Sequence, residues 1–318
     1  MGVYGSKVCG KIAVLFIAML AGYIAKKTKL FDEKASNTLS SLLAYITNPC
    51  LIITSLQTEC EMSVLVTAVK VLGMSVAIHA VLAVLCGFAA HRHSKKNVSA
   101  SPDRAVYAFG FMYMNCGFMG FPIMQAMFPE HGLFFGVIYN IPFNLFVWTH
   151  GVALMSGSKG QKPDWKKILL NPGILSTVLA CVLFVTGVRF PAVINDGLDM
   201  VGGMTFPLSM MIIGSLLGGI CLRSLFTDIK LLAFSLAKMV AVPLVMLGVC
   251  MVCGPWMDFT LAAVCVTMCA TPTAAVTAVF AEVYGANASL AAKIVGMTTL
   301  FSLVTMPMIL TLAENLLK

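Results

Sequence analysis

Long apolar runs separated by short polar turns make up this chain. They predict ten membrane-spanning helices, roughly Cys9–Ala25, Ser36–Leu56, Ser63–Ala90, Ala105–Met127, Leu133–Met155, Ile168–Val188, Leu198–Ile220, Ile229–Cys253, Phe259–Ala281 and Ala288–Leu312. The fourth run departs from a plain helix pattern. Met114 to Phe128 reads MNCGFMGFPIMQAMF, with Asn115, Gly117, Gly120 and Pro122 inside an otherwise apolar span. Proline has no N–H, its ring clashes with the carbonyl four residues back, and it pushes the preceding residue out of the helical region. The stretch is therefore expected to be a discontinuous helix, with one half ending near Gly117 and the next starting at Pro122. A proline kink in an ordinary span is the plainer alternative.

The feature recurs, which favours the break. The ninth span is interrupted at Thr271–Pro272, the second at Asn48–Pro49 and the seventh at Phe206–Pro207. Phe31 and Phe190 lie 18 and 17 residues before the prolines of the second and seventh spans. Five spans per half is an odd number, so the halves, residues 1–157 and 158–318, are expected to be inverted five-helix repeats. Paired Gly/Pro-interrupted spans in corresponding places of two inverted halves mark the binding site of a secondary transporter.

Composition narrows the class. The chain has 318 residues, 59% hydrophobic and 11% charged, with mean hydropathy +0.93. This excludes a soluble globular domain and predicts an all-α polytopic membrane protein. The first residues carry no small-residue cleavage site, so no removable signal peptide is expected. Of the lysines and arginines, fourteen fall on turns after odd-numbered spans and four on the opposite side. That bias places both termini outside the cytoplasm. Eleven cysteines are scattered through apolar runs, including Cys250 and Cys253, and read as small core residues. No metal, cofactor or nucleic acid is expected, and the lack of clustered acids, of a Ser/His dyad and of HExxH argues against an enzyme.

Polarity within the spans points to an anion. Pro122 lies eight residues before Glu130 and Pro272 ten before Glu282. At ~1.5 Å per residue each is about 12–15 Å deep, half of a ~30 Å hydrocarbon core. Two helix N-termini, each with partial positive charge and unpaired N–H groups, are thus expected to meet at the midplane, a setting that suits a carboxylate. Thr271 is the expected N-cap of the later half-helix, with Thr273 beside it. Asn115 offers donor and acceptor to a ligand, or a structural bond to frayed backbone. Lys70, His79, His150, Lys238 and Glu282 are the expected groups for coupling or charge compensation, since ionisable residues are costly in lipid. Snorkelling is the plainer account of Lys70 and Lys293, and an interfacial position that of His150.

NCGFMGFPIMQAMF resembles the broken fourth helix of the auxin efflux carrier family, which includes the plant PIN-FORMED carriers and bacterial members described as malate or malonate permeases. GYIAKKTKLFDEKASNTLSSLLAYITNP, NPGILSTVLA, TPTAAVTAVFAEVYG and TTLFSLVTMPMIL extend the resemblance over nearly the whole chain. It implies two inverted five-helix repeats. Helices one, two, six and seven would form a scaffold, and the other six an elevator-type transport domain in which helices four and nine cross. It also implies substrate contacts from Asn115 and from the crossover backbone at Phe121 and Pro122; Gly120, Thr271, Pro272 and Thr273 are the further expected substrate-binding residues, and a homodimer through the scaffold helices is the expected assembly. The long cytoplasmic loop of the plant carriers is absent; only Ser156 to Lys167 stands there. The expected substrate is therefore a small carboxylate. A sodium-coupled bile-acid-type symporter and a ligand-binding receptor without transport are the alternatives.

Overall fold

The computed structural model describes residues 3–59, 61–94, 102–156, 166 and 169–317. Lys95, Lys96, Lys159, Lys162, Lys167, Lys318 and the expected boundary between the halves lie outside them. The described chain is helical, and its one extended pairing is an isolated antiparallel bridge. In order, the helices are α1 Val3–Lys27, α2 Lys34–Ser55, α3 Met62–Ser94, α4 Pro102–Met112, α5 Phe121–Met127 and α6 Gly132–Ser156. Then come α7 Pro172–Thr186, α8 Ala192–Gly218, α9 Ile229–Val252, α10 Phe259–Ala270, α11 Val276–Val283 and α12 Ala288–Leu317, with a short helix Leu222–Thr227 between α8 and α9. Seven of these (α1, α2, α3, α6, α8, α9 and α12) are long and apolar enough to cross a membrane. The sixth expected span is the 15-residue α7, and the fourth and ninth are each divided into two shorter helices.

Polar residues cap the turns. Asp32, Asn171, Asp228 and Asp258 each accept from a backbone N–H of the helix that follows, which satisfies first-turn donors. After α11, Gly285 adopts φ 73°. Ala286 N–H then reaches Ala281 O at 2.8 Å and Gly285 N–H reaches Glu282 O. This left-handed closure is the physical role of the glycine in AEVYG.

Two groups of helices pack differently. The α1 helix meets the second part of α8 backbone to backbone: a Cβ on Gly22 would strike the Met211 carbonyl, and one on Gly214 the Met19 carbonyl. The α2 helix lies against the first part of α8 and against α7, with Gly202 pressed on the Leu51 backbone. Small residues at such crossings let helices approach where no hydrophobic force separates protein from lipid. The remaining helices gather around α12, which touches α4, α9, α10 and α11, while α6 packs on α3 and α5.

Prolines are absorbed in a common way. Asn48, Phe121 and Val242, each just before a proline, send their N–H five residues back, to Leu43, Cys116 and Ala237. The wide turn re-satisfies the backbone that the proline disrupts. At Asn48–Pro49 this corrects the expected break: Thr47 and Asn48 keep helical angles, and α2 runs on. At Phe206–Pro207 the interruption is a single turn residue, Met204, between two helical stretches. In the fourth span the break also differs from expectation. Helix α4 ends at Met112, Tyr113 and Met114 run outside it, Asn115 turns the chain (φ −79°, ψ 56°) and Cys116–Gly120 form the wide turn. The glycines and proline that mark the break in sequence thus lie just after it.

Candidate functional site

The two interrupted spans cross at their extended segments. Met114 and Thr273 form the antiparallel bridge. Asn115 N–H donates to Pro272 O at 2.7 Å and Ala274 N–H to Tyr113 O at 3.0 Å. Helix ends at this depth have no water to turn to, and each half supplies partners for the other. The carbonyl end of α4 is closed from outside its own helix. Gly110 O accepts from Thr273 Oγ1 at 2.8 Å, and Phe111 O accepts from Lys238 Nζ at 2.8 Å.

The threonines of the ninth span are already engaged. Thr271 Oγ1 donates back to Met268 O at 2.7 Å, so it closes α10 rather than capping α11, because its extended backbone (ψ 149°) belongs to the helix end. Thr273 N–H donates to Thr298 Oγ1 at 3.1 Å. Pro272 lies just upstream of α11, and Thr271 and Thr273 are fully buried.

Asn115 is different. It is 3% exposed, its carbonyl accepts from Met119 and Gly120 N–H, and its Nδ2 has no hydrogen-bond partner. An unmatched buried donor is costly and rare in a finished core. Gly117 follows, and a Cβ there would meet nothing within 4 Å, whereas one on Gly120 would come 2.7 Å from Met268 Sδ. Phe121 and Pro122 are buried at the start of α5, where the Phe121 ring lies against Gly136. Gly117 and Phe118, and Ala275 and Val276, have N–H groups with no protein acceptor among the described residues, as the first turn of a helix dictates.

The ionisable candidates are spread out. Lys70 is exposed and pairs with Asp258 at 3.8 Å, and Glu282 is exposed near the end of α11. His79 is fully buried. Its Nδ1 donates to Ser75 O at 2.7 Å, its ring stacks on Phe146, and its Nε2 has no partner. His150 Nδ1 lies 3.1 Å from the Tyr113 hydroxyl, which itself donates to Phe146 O at 2.8 Å. Lys238, 1% exposed, sits in the wide turn of α9.

Sequence reasoning missed Tyr113, Thr298 and Asn140. Tyr113 bonds through both backbone and hydroxyl, and Thr298 holds the ninth-span backbone. Asn140 Oδ1 is buried without a partner. An amide inside an apolar run was the available signal for Asn140; nothing in the sequence says that a tyrosine hydroxyl will find a carbonyl on another helix.

Among the described residues, seven apolar helices long enough to span a bilayer, with two further spans interrupted and joined backbone to backbone inside the protein, define a multi-span membrane transporter. The chain belongs to the membrane transport protein family, whose profile matches residues 7–163 and 161–310, and which is the auxin efflux carrier family. It is similar to an uncharacterized transporter of Methanothermobacter thermautotrophicus, 24% identical over 92% of this chain and 94% of that protein. It is also similar to an uncharacterized transporter of Methanocaldococcus jannaschii, 23% identical over 64% of this chain and 67% of that protein.

Proposed function

We propose that the protein is a secondary active carrier of organic anions, small carboxylates above all, working across the plasma membrane with both termini outside. The observation that carries this reading is the unpartnered Asn115 Nδ2, set between a crossing of backbones and the open space at Gly117. A carboxylate there would take the amide donor and the unpaired first-turn N–H groups of Gly117 and Phe118, all of which favour negative charge. On this reading Asn115 makes the direct bond to the substrate, and Gly120, Phe121, Pro122, Thr271, Pro272 and Thr273 form the packed frame that holds it in place. Sodium coupling is disfavoured, because no carboxylate of the described spans stands at the crossover to supply a negative ligand.

An elevator-type movement fits the packing. Close backbone contact joins α1, α2, α7 and α8 into one block, which meets the crossover helices chiefly where α1 touches α5 and α12. The two five-helix repeats and a homodimer through that block belong to the same proposal. The test is competition in proteoliposomes, with a panel of radiolabelled carboxylates challenged by each acid and its amide. The acid is expected to inhibit at least tenfold more strongly, about 1.4 kcal/mol, since the amide loses the attraction to the helix starts while still being desolvated. Equal inhibition by acid and amide would move the binding site away from the crossover.

A further inference from the structure

Lys238 is the buried ionisable group that the binding geometry leaves unused. Its side chain enters the crossover from α9, where the wide turn before Pro243 re-aims residues 237–241. Nζ donates one hydrogen bond, to Phe111 O at 2.8 Å, and stands 6.0 Å from the centroid of the Phe111 ring. An ammonium has three donors, and the structure gives this one a single partner. No carboxylate of the described residues lies within ion-pair distance. The titratable groups whose charge would act on it are the thiols of Cys86 on α3, Cys116 in the wide turn before α5 and Cys269 on α10. The His79 imidazole on α3 is also within electrostatic range. Cys116 is the residue after Asn115, so the lysine acts on the same crossing that carries the unpartnered amide.

Capping explains part of this arrangement, because a cation suits the carbonyl end of α4. It does not explain why a lysine is used. A neutral donor would close Phe111 O without burying a charge that has no counter-ion, and lysine is the basic side chain that gives up its proton readily when buried.

Building on the anion-carrier reading, we infer that Lys238 is the proton-carrying counter-charge of the crossover. The amine takes a proton from water as a carboxylate settles beside Asn115, and the proton returns to water when the carboxylate leaves. No covalent bond changes apart from the N–H bond made and broken. One carboxylate and one proton enter together and leave together, so a monocarboxylate crosses without net charge and a proton gradient drives its accumulation.

The test uses the purified full-length carrier in detergent. Acetate, lactate, malonate, malate and indole-3-acetate are first screened for a rise in thermal unfolding temperature. Each that stabilises the protein is then added in weak buffer with a pH dye. The expected result is uptake of about one proton per carboxylate bound. Lys238→Arg is expected to bind but to lose the uptake, because its guanidinium is always charged. Lys238→Gln is expected to lose the uptake and to bind at least tenfold more weakly. A carboxylate that stabilises the carrier without proton uptake overturns the inference, as does uptake that survives in Lys238→Arg. Should neither variant fold, His79→Gln decides: uptake lost there assigns the proton to the imidazole and overturns the inference, and uptake retained there supports it. If no carboxylate stabilises the protein, the anion-carrier reading falls, and this inference falls with it.

Discussion

The two limbs of the crossover look alike in sequence and differ in how their polar groups are used. In the ninth-span limb, Thr271 and Thr273 are fully buried and their hydroxyls donate to Met268 O and Gly110 O. In the fourth-span limb, Asn115 is also buried, yet its Nδ2 is unpartnered and Gly117 beside it faces open space. The crossing threonines of the first limb are spent on the frame; Asn115 of the second keeps an unspent amide donor. On the proposed reading, the difference means that the crossing is built on one side and binds on the other. Both limbs keep unpaired first-turn N–H groups, and Thr277 Oγ1 of α11 is also buried without a partner, so the contrast lies in the Asn115 amide and the open space beside it.

The most damaging way to probe this contrast is Thr273→Glu. The carboxylate would replace a hydroxyl that is 0% exposed and bonded to Gly110 O, in a place where an unpaired charge costs several kcal/mol. The protein is expected not to fold, as read by loss of a monodisperse peak in detergent. Thr273→Val should fold with about 1–3 kcal/mol less stability, because the Gly110 carbonyl is left buried without its donor. If Thr273→Glu folds and merely repels substrate, Thr273 faces the ligand and the limbs are equivalent after all.

Asn115→Ala asks the reverse question. Removing a donor that has no partner leaves no new orphan at Nδ2, so thermal stability should stay near that of the parent. Transport should fall, since a hydrogen bond to a charged group is worth about 1.5–3 kcal/mol, or roughly ten- to a hundredfold in affinity. A variant that unfolds while residual protein transports normally would make Asn115 part of the frame.

Much of this is legible in the chain. Apolar run lengths locate the helices, and NCGFMGFP and TPT locate the two interruptions. What the run of residues does not say is where the chain actually leaves the helix. The prolines announce the break, but a wide turn absorbs Pro122, so the extended segment begins well upstream of it, at Tyr113. At Pro49 the same turn removes the break altogether. Local chemistry signals that a hydrogen bond is missing; it does not say whether the missing bond is repaired within the same turn or across the molecule. The ionisable residues show the same limit. Lys70 and Lys238 both read as costly lysines in apolar spans, and only tertiary packing separates the exposed partner of Asp258 from the buried partner of Phe111 O.

The finest test of the contrast lies within the fourth-span limb, at Gly117 and Gly120 in one wide turn. A Cβ on Gly120 would meet Met268 Sδ at 2.7 Å, and Met268 is itself fully buried, so the sulfur has little room to yield. Gly120→Ala is expected to cost about 1 kcal/mol or somewhat more by overpacking, lowering the thermal midpoint. A Cβ on Gly117 meets nothing, and alanine restricts the unfolded chain more than glycine does. Gly117→Ala should therefore stabilise by about 0.4–1 kcal/mol, raising the midpoint. The effects on transport should run the other way. Gly120→Ala leaves the open space untouched, so folded protein should keep its apparent affinity, while Gly117→Ala puts a methyl group into the space where a carboxylate would approach the free N–H groups. Its KM should rise severalfold although the protein is sturdier. Thermal unfolding and initial uptake rates on the same two preparations read both signs. Unchanged KM in a stabilised Gly117→Ala would show that the open space lies off the ligand's path, leaving Asn115 without the neighbouring N–H groups as partners.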